Sequence, residues 1–136
     1  MVEIILLEDN LVEATLFESA IEETAMTYQL HVTHSYKLVV ERLECWQKES
    51  NPHPKIIFLD MHTPEMTGLE ILEKIKSYPI LKKCTVAMLT GLSDDMVIKQ
   101  AYESGINAYL YKPIDFDDLV NMIESMIKFF SLPESR

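Results

Sequence analysis

Five short apolar runs, separated by stretches of helical periodicity, constrain this chain more than any other feature of its sequence. The runs are Ile4-Ile5-Leu6-Leu7, Leu30 with Val32, Ile56-Ile57-Phe58-Leu59, Val86-Ala87-Met88-Leu89 and Ala108-Tyr109-Leu110-Tyr111. Strands alternating with helices predict an α/β fold, a parallel sheet with helices on both faces. Runs one, three and four are continuously apolar, as strands buried on both faces must be. The second alternates through Gln29-Leu30-His31-Val32-Thr33, and the fifth carries two tyrosines. Both suit sheet edges. Three apolar strands inside and two outside fit a doubly wound order of 2-1-3-4-5, the flavodoxin-like (βα)5 arrangement.

The intervening helices can be placed from their apolar faces and their ends. In the first, Ala14, Phe17 and Ile21 share a face while Glu13, Glu18 and Glu22 occupy others, and Asn10 with Glu13 spells a capping box. A second helix is expected over Tyr36–Glu49, with Val39, Leu43 and Trp46 inward. The third starts near Gly68, packs Ile71, Leu72 and Ile75, and must stop before Pro79. The fourth begins at Ser93-Asp94-Asp95, whose carboxylates suit a helix amino terminus, and ends at Gly105. The last starts at Asp115 and is expected to bury Leu119, Met122, Met126 and Phe130. Residues 1–130 read as one domain and 131–136 as a short tail.

A length of 136 residues fits one compact domain better than two cores and a linker, and a hydrophobic share of 48% is that of a globular chain and argues against disorder. Acidic residues outnumber basic ones 22 to 12, giving a net charge of −10. Such a surface repels phosphate backbones and anionic lipids, so neither nucleic acid nor membrane is an expected partner. The start of the chain reads as too short and too acidic for a signal peptide, and no apolar run approaches the ~18 residues that span a bilayer. Cys45 and Cys84 have no metal-ligand spacing and read as reduced, buried thiols of a cytoplasmic protein.

In an open parallel sheet, ligands bind beyond the carboxyl ends of the strands. There the sequence places Glu8 and Asp9, then Asp60, then Thr90, then Lys112 before Pro113. Three carboxylates repel in a partly desolvated crevice, and one ammonium offsets only one of them. The set favours a hard divalent cation with oxygen ligands, and Mg2+ suits a few carboxylates plus a phosphate oxygen. One carboxylate could then act as nucleophile towards a phosphoryl group, with Lys112 and Thr90 stabilising the transferred oxygens.

These residues, together with Asp60-Met61-His62-Thr63-Pro64-Glu65-Met66-Thr67-Gly68, Thr90-Gly91 and Tyr109-Leu110-Tyr111-Lys112-Pro113, resemble a two-component response-regulator receiver domain over essentially the whole chain. The resemblance implies that Asp60 is the phosphoacceptor for a histidine kinase or phosphotransfer protein. It implies metal binding by Glu8, Asp9, Asp60 and the backbone carbonyl of His62, phosphoryl stabilisation by Thr90 and Lys112, and a cis bond before Pro113. It also implies a switch in which Thr90 moves and Tyr109 turns inward, with Gly91 leaving room. The output surface would be the fourth helix, fifth strand and fifth helix, offering Tyr102, Tyr111 and Phe129 to a downstream protein or a second copy. Two positions depart from the family pattern. Thr63 replaces a methionine or leucine, which touches loop packing, and His62 brings an imidazole that serves through its backbone or, alternatively, gates water.

Such a chain is expected to be a stand-alone signalling protein, not an enzyme beyond its own phosphorylation and dephosphorylation. The loop Ser50-Asn51-Pro52-His53-Pro54 and the ending Phe129-Phe130-Ser131-Leu132-Pro133 are similar to small regulators paired with phytochrome-type kinases, a likeness that names no stimulus. Two other readings share part of the pattern. A haloacid-dehalogenase-type phosphatase also forms an aspartyl phosphate but needs a second aspartate where His62 stands. A flavodoxin-like cofactor binder needs a phosphate-cradling loop where Glu8-Asp9-Asn10 would repel one. A receiver fold used only as an interaction module would not need all five polar residues.

Overall fold

The computed structural model describes residues 1–49, 51–91 and 95–131. Five parallel strands, β1 (Val2–Leu7), β2 (Tyr28–Thr33), β3 (Lys55–Asp60), β4 (Cys84–Thr90) and β5 (Ala108–Tyr111), lie in the order β2-β1-β3-β4-β5. The helices are α1 (Leu11–Glu23), α2 (Tyr36–Lys48), α3 (Gly68–Ile75), α4 (Asp95–Glu103) and α5 (Phe116–Phe130). A short 3-10 helix, Pro79–Lys83, follows α3. Ser93 and Asp94, expected to open α4, and residues 132–136 of the expected tail over 131–136 lie outside the described residues. No helix among the described residues is long and apolar enough to cross a membrane.

Two-residue alternation splits the apolar strands between two cores. Ile5, Leu7, Ile57 and Leu59 face α2 and α3, where they meet Val39, Leu43, Trp46, Ile71 and Leu72. Ile4, Leu6, Ile56 and Phe58 face α1 and α5, against Phe17, Ile21, Ile123 and Ile127. The expected face of α5 is therefore rotated. Met126 is buried, but Leu119, Met122 and Phe130 are only half-buried, while Ile123 and Ile127 are sealed. The thiols also differ from expectation. Cys45 is exposed on α2. Cys84 is half-buried, donates to the Ile80 carbonyl at 3.3 Å, and is pushed by burial up to about 12.

Helix ends follow local rules. Thr67 and Glu70 form a full capping box on α3. Asn10 caps α1 by accepting from the Glu13 N–H at 3.0 Å. The reciprocal half of that box is displaced, because the Asn10 N–H goes to Glu8 at 3.3 Å. After α4, Gly105 takes φ +103, the left-handed turn that glycine allows without strain, and the Ile106 N–H returns to the Ala101 carbonyl.

At the amino-terminal edge of the sheet, the β1–β3 register sets Glu3 directly beside Lys55. Their side chains, each 5% exposed, form an ion pair at 3.3 Å. Lys55 also donates to the Asn51 side chain at 2.9 Å and to the His53 carbonyl at 3.0 Å, and it lies 5.7 Å from the Trp46 ring centre.

Candidate functional site

The register that stacks the apolar runs also aligns their carboxyl ends. Leu7 pairs with Leu59, so Glu8 comes level with Asp60. Asp60 in turn pairs with Leu89, and Thr90 with Tyr111. Glu8, Asp60 and Thr90 are buried, and Asp9 is exposed at the rim. Carboxylate oxygens of Glu8, Asp9 and Asp60 lie within 4.8 Å of one another, a donor set that could hold a divalent metal.

Lys112 projects from the end of β5 into this group. Its ammonium lies 2.8 Å from Glu13 Oε2, 3.0 Å from Glu8 Oε1 and 3.3 Å from Asp60 Oδ1. Burial disfavours the charged lysine, but hydrogen bonds to Glu13 and Glu8 and the Asp60 charge outweigh it and raise its pKa. Burial is also the main cause that lifts the Glu8 carboxyl to about 8, with Asp60 adding to the rise and Lys112 opposing it. The hydrogen bond to Lys112 holds Glu13 below the usual carboxylate range. A buried acid kept protonated first by burial and then by a neighbouring carboxylate is one whose ionised form a bound cation would stabilise. The donor set fits a hard cation.

The loop after Asp60 is closed by its own polar groups. The His62 N–H donates to Asp60 Oδ1 at 3.1 Å, and the His62 ring is exposed. Thr63 donates to the Met66 carbonyl at 2.5 Å, which accounts for a hydroxyl at that position. Gly68 is needed for close approach. A Cβ there would meet Met88 Sδ and lie 2.9 Å from the Asp60 carbonyl. Gly91 is different, since a Cβ would meet nothing within 4 Å, so in this conformation its small size relieves no crowding.

One expectation is overturned. No peptide bond among the described residues is cis, so the Lys112–Pro113 bond is trans. A proline amide prefers trans by about 0.5–1 kcal/mol, and Lys112 already reaches Asp60 from that form while its N–H holds the Thr90 carbonyl at 2.8 Å.

The expected aromatic residues lie on α4, β5 and α5. Tyr109 is half-buried against the α2–α3 core, and its ring packs edge-on against Tyr111 at 6.1 Å. Tyr102, Tyr111 and Phe129 are 50%, 48% and 70% exposed. The Lys112 N–H points to β4, so by strand alternation the Tyr109 N–H points to the open side, where it donates to the Tyr102 hydroxyl at 3.2 Å. Sequence reasoning gave Glu13 only a capping role, because its contact with Lys112 joins residues 99 positions apart. It also passed over the exposed Leu11, Val12 and Ile114, which stand two or three positions after Asp9 and Lys112. Apolar residues on the polar face of α1 were the available signal.

A family profile described as the response regulator receiver domain matches residues 4–124. Among known proteins, the chain is similar to the probable methanogenesis regulatory protein FilR2 of Methanothrix harundinacea, 29% identical over 127 residues that cover 93% of this chain and 82% of that protein. It is also similar to the response regulator Rcp1 of Synechocystis sp., 27% identical over 128 residues, covering 93% and 87%. The solved Mn2+-bound form of Rcp1 matches with a TM-score of 0.75 at 26% identity, covering 99% of this chain and 98% of that one.

Proposed function

The chain belongs to the response regulator receiver domain family, and from that premise we propose that Asp60 accepts a phosphoryl group from the phosphohistidine of a sensor kinase or phosphotransfer protein in the cytoplasm. An Asp60 oxygen attacks phosphorus. The bond from phosphorus to the histidine nitrogen breaks, and that nitrogen leaves with its electron pair. Lys112, already 3.3 Å from Asp60 Oδ1, follows the charge onto a phosphoryl oxygen, and the Thr90 hydroxyl donates to another. Glu8, Asp9, Asp60 and the His62 carbonyl would hold Mg2+, which when bound would supply positive charge to the oxygens of the transferring group. Hydrolysis of the acyl phosphate returns Asp60 to its free carboxylate.

The observation that carries this reading is the buried Asp60 carboxylate at the end of the central strand, flanked by two further carboxylates and an ammonium. Exposed apolar Leu11, Val12 and Ile114 beside the site suit a protein phosphodonor. Movement of Thr90 and rotation of Tyr109 would carry the change to the α4-β5-α5 face, where Tyr102, Tyr111 and Phe129 offer apolar contact to a downstream protein or a second copy. With a charge of −10, nucleic acid is not its target. Intact mass after incubation with acetyl phosphate and Mg2+ tests the proposal. Wild type should gain one phosphoryl group and Asp60→Asn none, and equal labelling of both would overturn it. A sizing column run on the labelled protein reads the dimer.

A further inference from the structure

We infer that Glu13 is a positioning residue for this phosphoryl transfer, holding the Lys112 ammonium at the mouth of the site when its other carboxylate partners are taken up. The inference rests on the phosphoacceptor reading above. A lysine ammonium has three protons, and here two are donated to Glu13 and Glu8 while Asp60 stands at ion-pair distance. Glu13 makes the shortest of the contacts, 2.8 Å against 3.0 Å to Glu8 and 3.3 Å to Asp60. Two of those partners, Glu8 and Asp60, belong to the group of carboxylates that can hold a metal, and Glu13 does not. A cation bound there would compete with Lys112 for Glu8 and Asp60 and leave the Glu13 contact standing.

The fold holds Glu13 ready for that contact. Asn10 fixes its backbone by capping α1 through the Glu13 N–H, and Glu8 takes the Asn10 N–H that a full capping box would have assigned to the Glu13 carboxylate. The Glu13 side chain is thereby left to reach β5. Lysine has a long stem with much rotamer freedom to lose, so a fixed partner on α1 removes part of the cost of aiming it. The ammonium then keeps two protons for Asp60 and the incoming phosphoryl oxygen.

Four proteins test this: wild type, Glu13→Gln, Lys112→Ala and the double variant, each labelled with acetyl phosphate and Mg2+ and timed by intact mass. Glu13→Gln should slow phosphoryl uptake about fivefold, the upper range for a partly exposed ion pair, and should have no further effect once Lys112 is alanine. An unchanged rate in Glu13→Gln, or an equal loss in both backgrounds, would overturn the inference and leave the phosphoacceptor reading intact. Failure of wild type to take up a phosphoryl group on Asp60 would remove both. A second readout needs neither metal nor turnover. In the metal-free protein, NMR should show Lys112 ammonium protons exchanging with water faster in Glu13→Gln than in wild type. Unchanged exchange would also overturn the inference, and this measurement decides alone if Lys112→Ala is too slow to time.

Discussion

Each edge of the sheet carries a lysine against a buried carboxylate, and the two are built for opposite purposes. At the amino-terminal edge, Glu3 and Lys55 balance one another, and Asn51 and the His53 carbonyl take the lysine's remaining donors. At the carboxyl-terminal edge, Lys112 faces Glu8, Glu13 and Asp60, with Asp9 at the rim, so negative charge is in surplus. A balanced pair holds strands in register. A surplus leaves a standing demand for a cation.

The largest effect that would sharpen this contrast is on stability at the balanced edge. Lys55→Ala strands the buried Glu3 charge and should destabilise the fold by about 3–5 kcal/mol in urea melts. A loss under 1 kcal/mol would show that the pair bears no weight. The site edge has a steric weak point instead. Gly68→Ala forces a methyl against Met88 and the Asp60 carbonyl and should cost about 1–3 kcal/mol. Metal titrations should read the charge surplus directly. Glu8 is raised from 4.5 to about 8, so the metal-free fold holds a proton there that the unfolded chain releases. Its contribution to stability is full below pH 4.5 and is lost as pH climbs to about 8. Mg2+ must displace that proton, so its affinity should rise between pH 6 and 8, by at most about tenfold per unit. Glu8→Gln should abolish the slope, and a flat calorimetric profile in wild type would refute it. The smallest effect is the counterpart of the first. Lys112→Ala should change metal-free stability by about 1 kcal/mol or less, because the lysine is partly exposed and Glu8 can keep its proton. A cost equal to that of Lys55→Ala would erase the distinction between the edges.

Much of this was legible in the sequence because strand ends are local facts. Asp60, Thr90 and Lys112 each terminate an apolar run, and a parallel sheet of known order brings run ends together whatever the helices do. Which runs alternate and which do not marks the two borders, and the doubly wound β2-β1-β3-β4-β5 order agrees with that. What escaped depends on distance in the chain or on packing. The Glu3–Lys55 pair is set by a register between strands 52 positions apart. The inward face of α5 turns on a small rotation that moves burial from Leu119 and Phe130 to Ile123 and Ile127, and apolar residues on all four positions made that rotation invisible. The Lys112–Pro113 isomer is separated by so small an energy that a motif could not fix it. Glu13 looked like a cap because nothing in the helix pattern reveals a partner across the sheet.

The contact between the Tyr102 hydroxyl and the Tyr109 amide bears on how molecules of this kind stay apart. A border strand normally advertises a row of vacant donors on which a foreign strand can zip up, and a single side chain from the preceding helix has closed that position. Strand pairing through that amide therefore requires Tyr102 to swing away first.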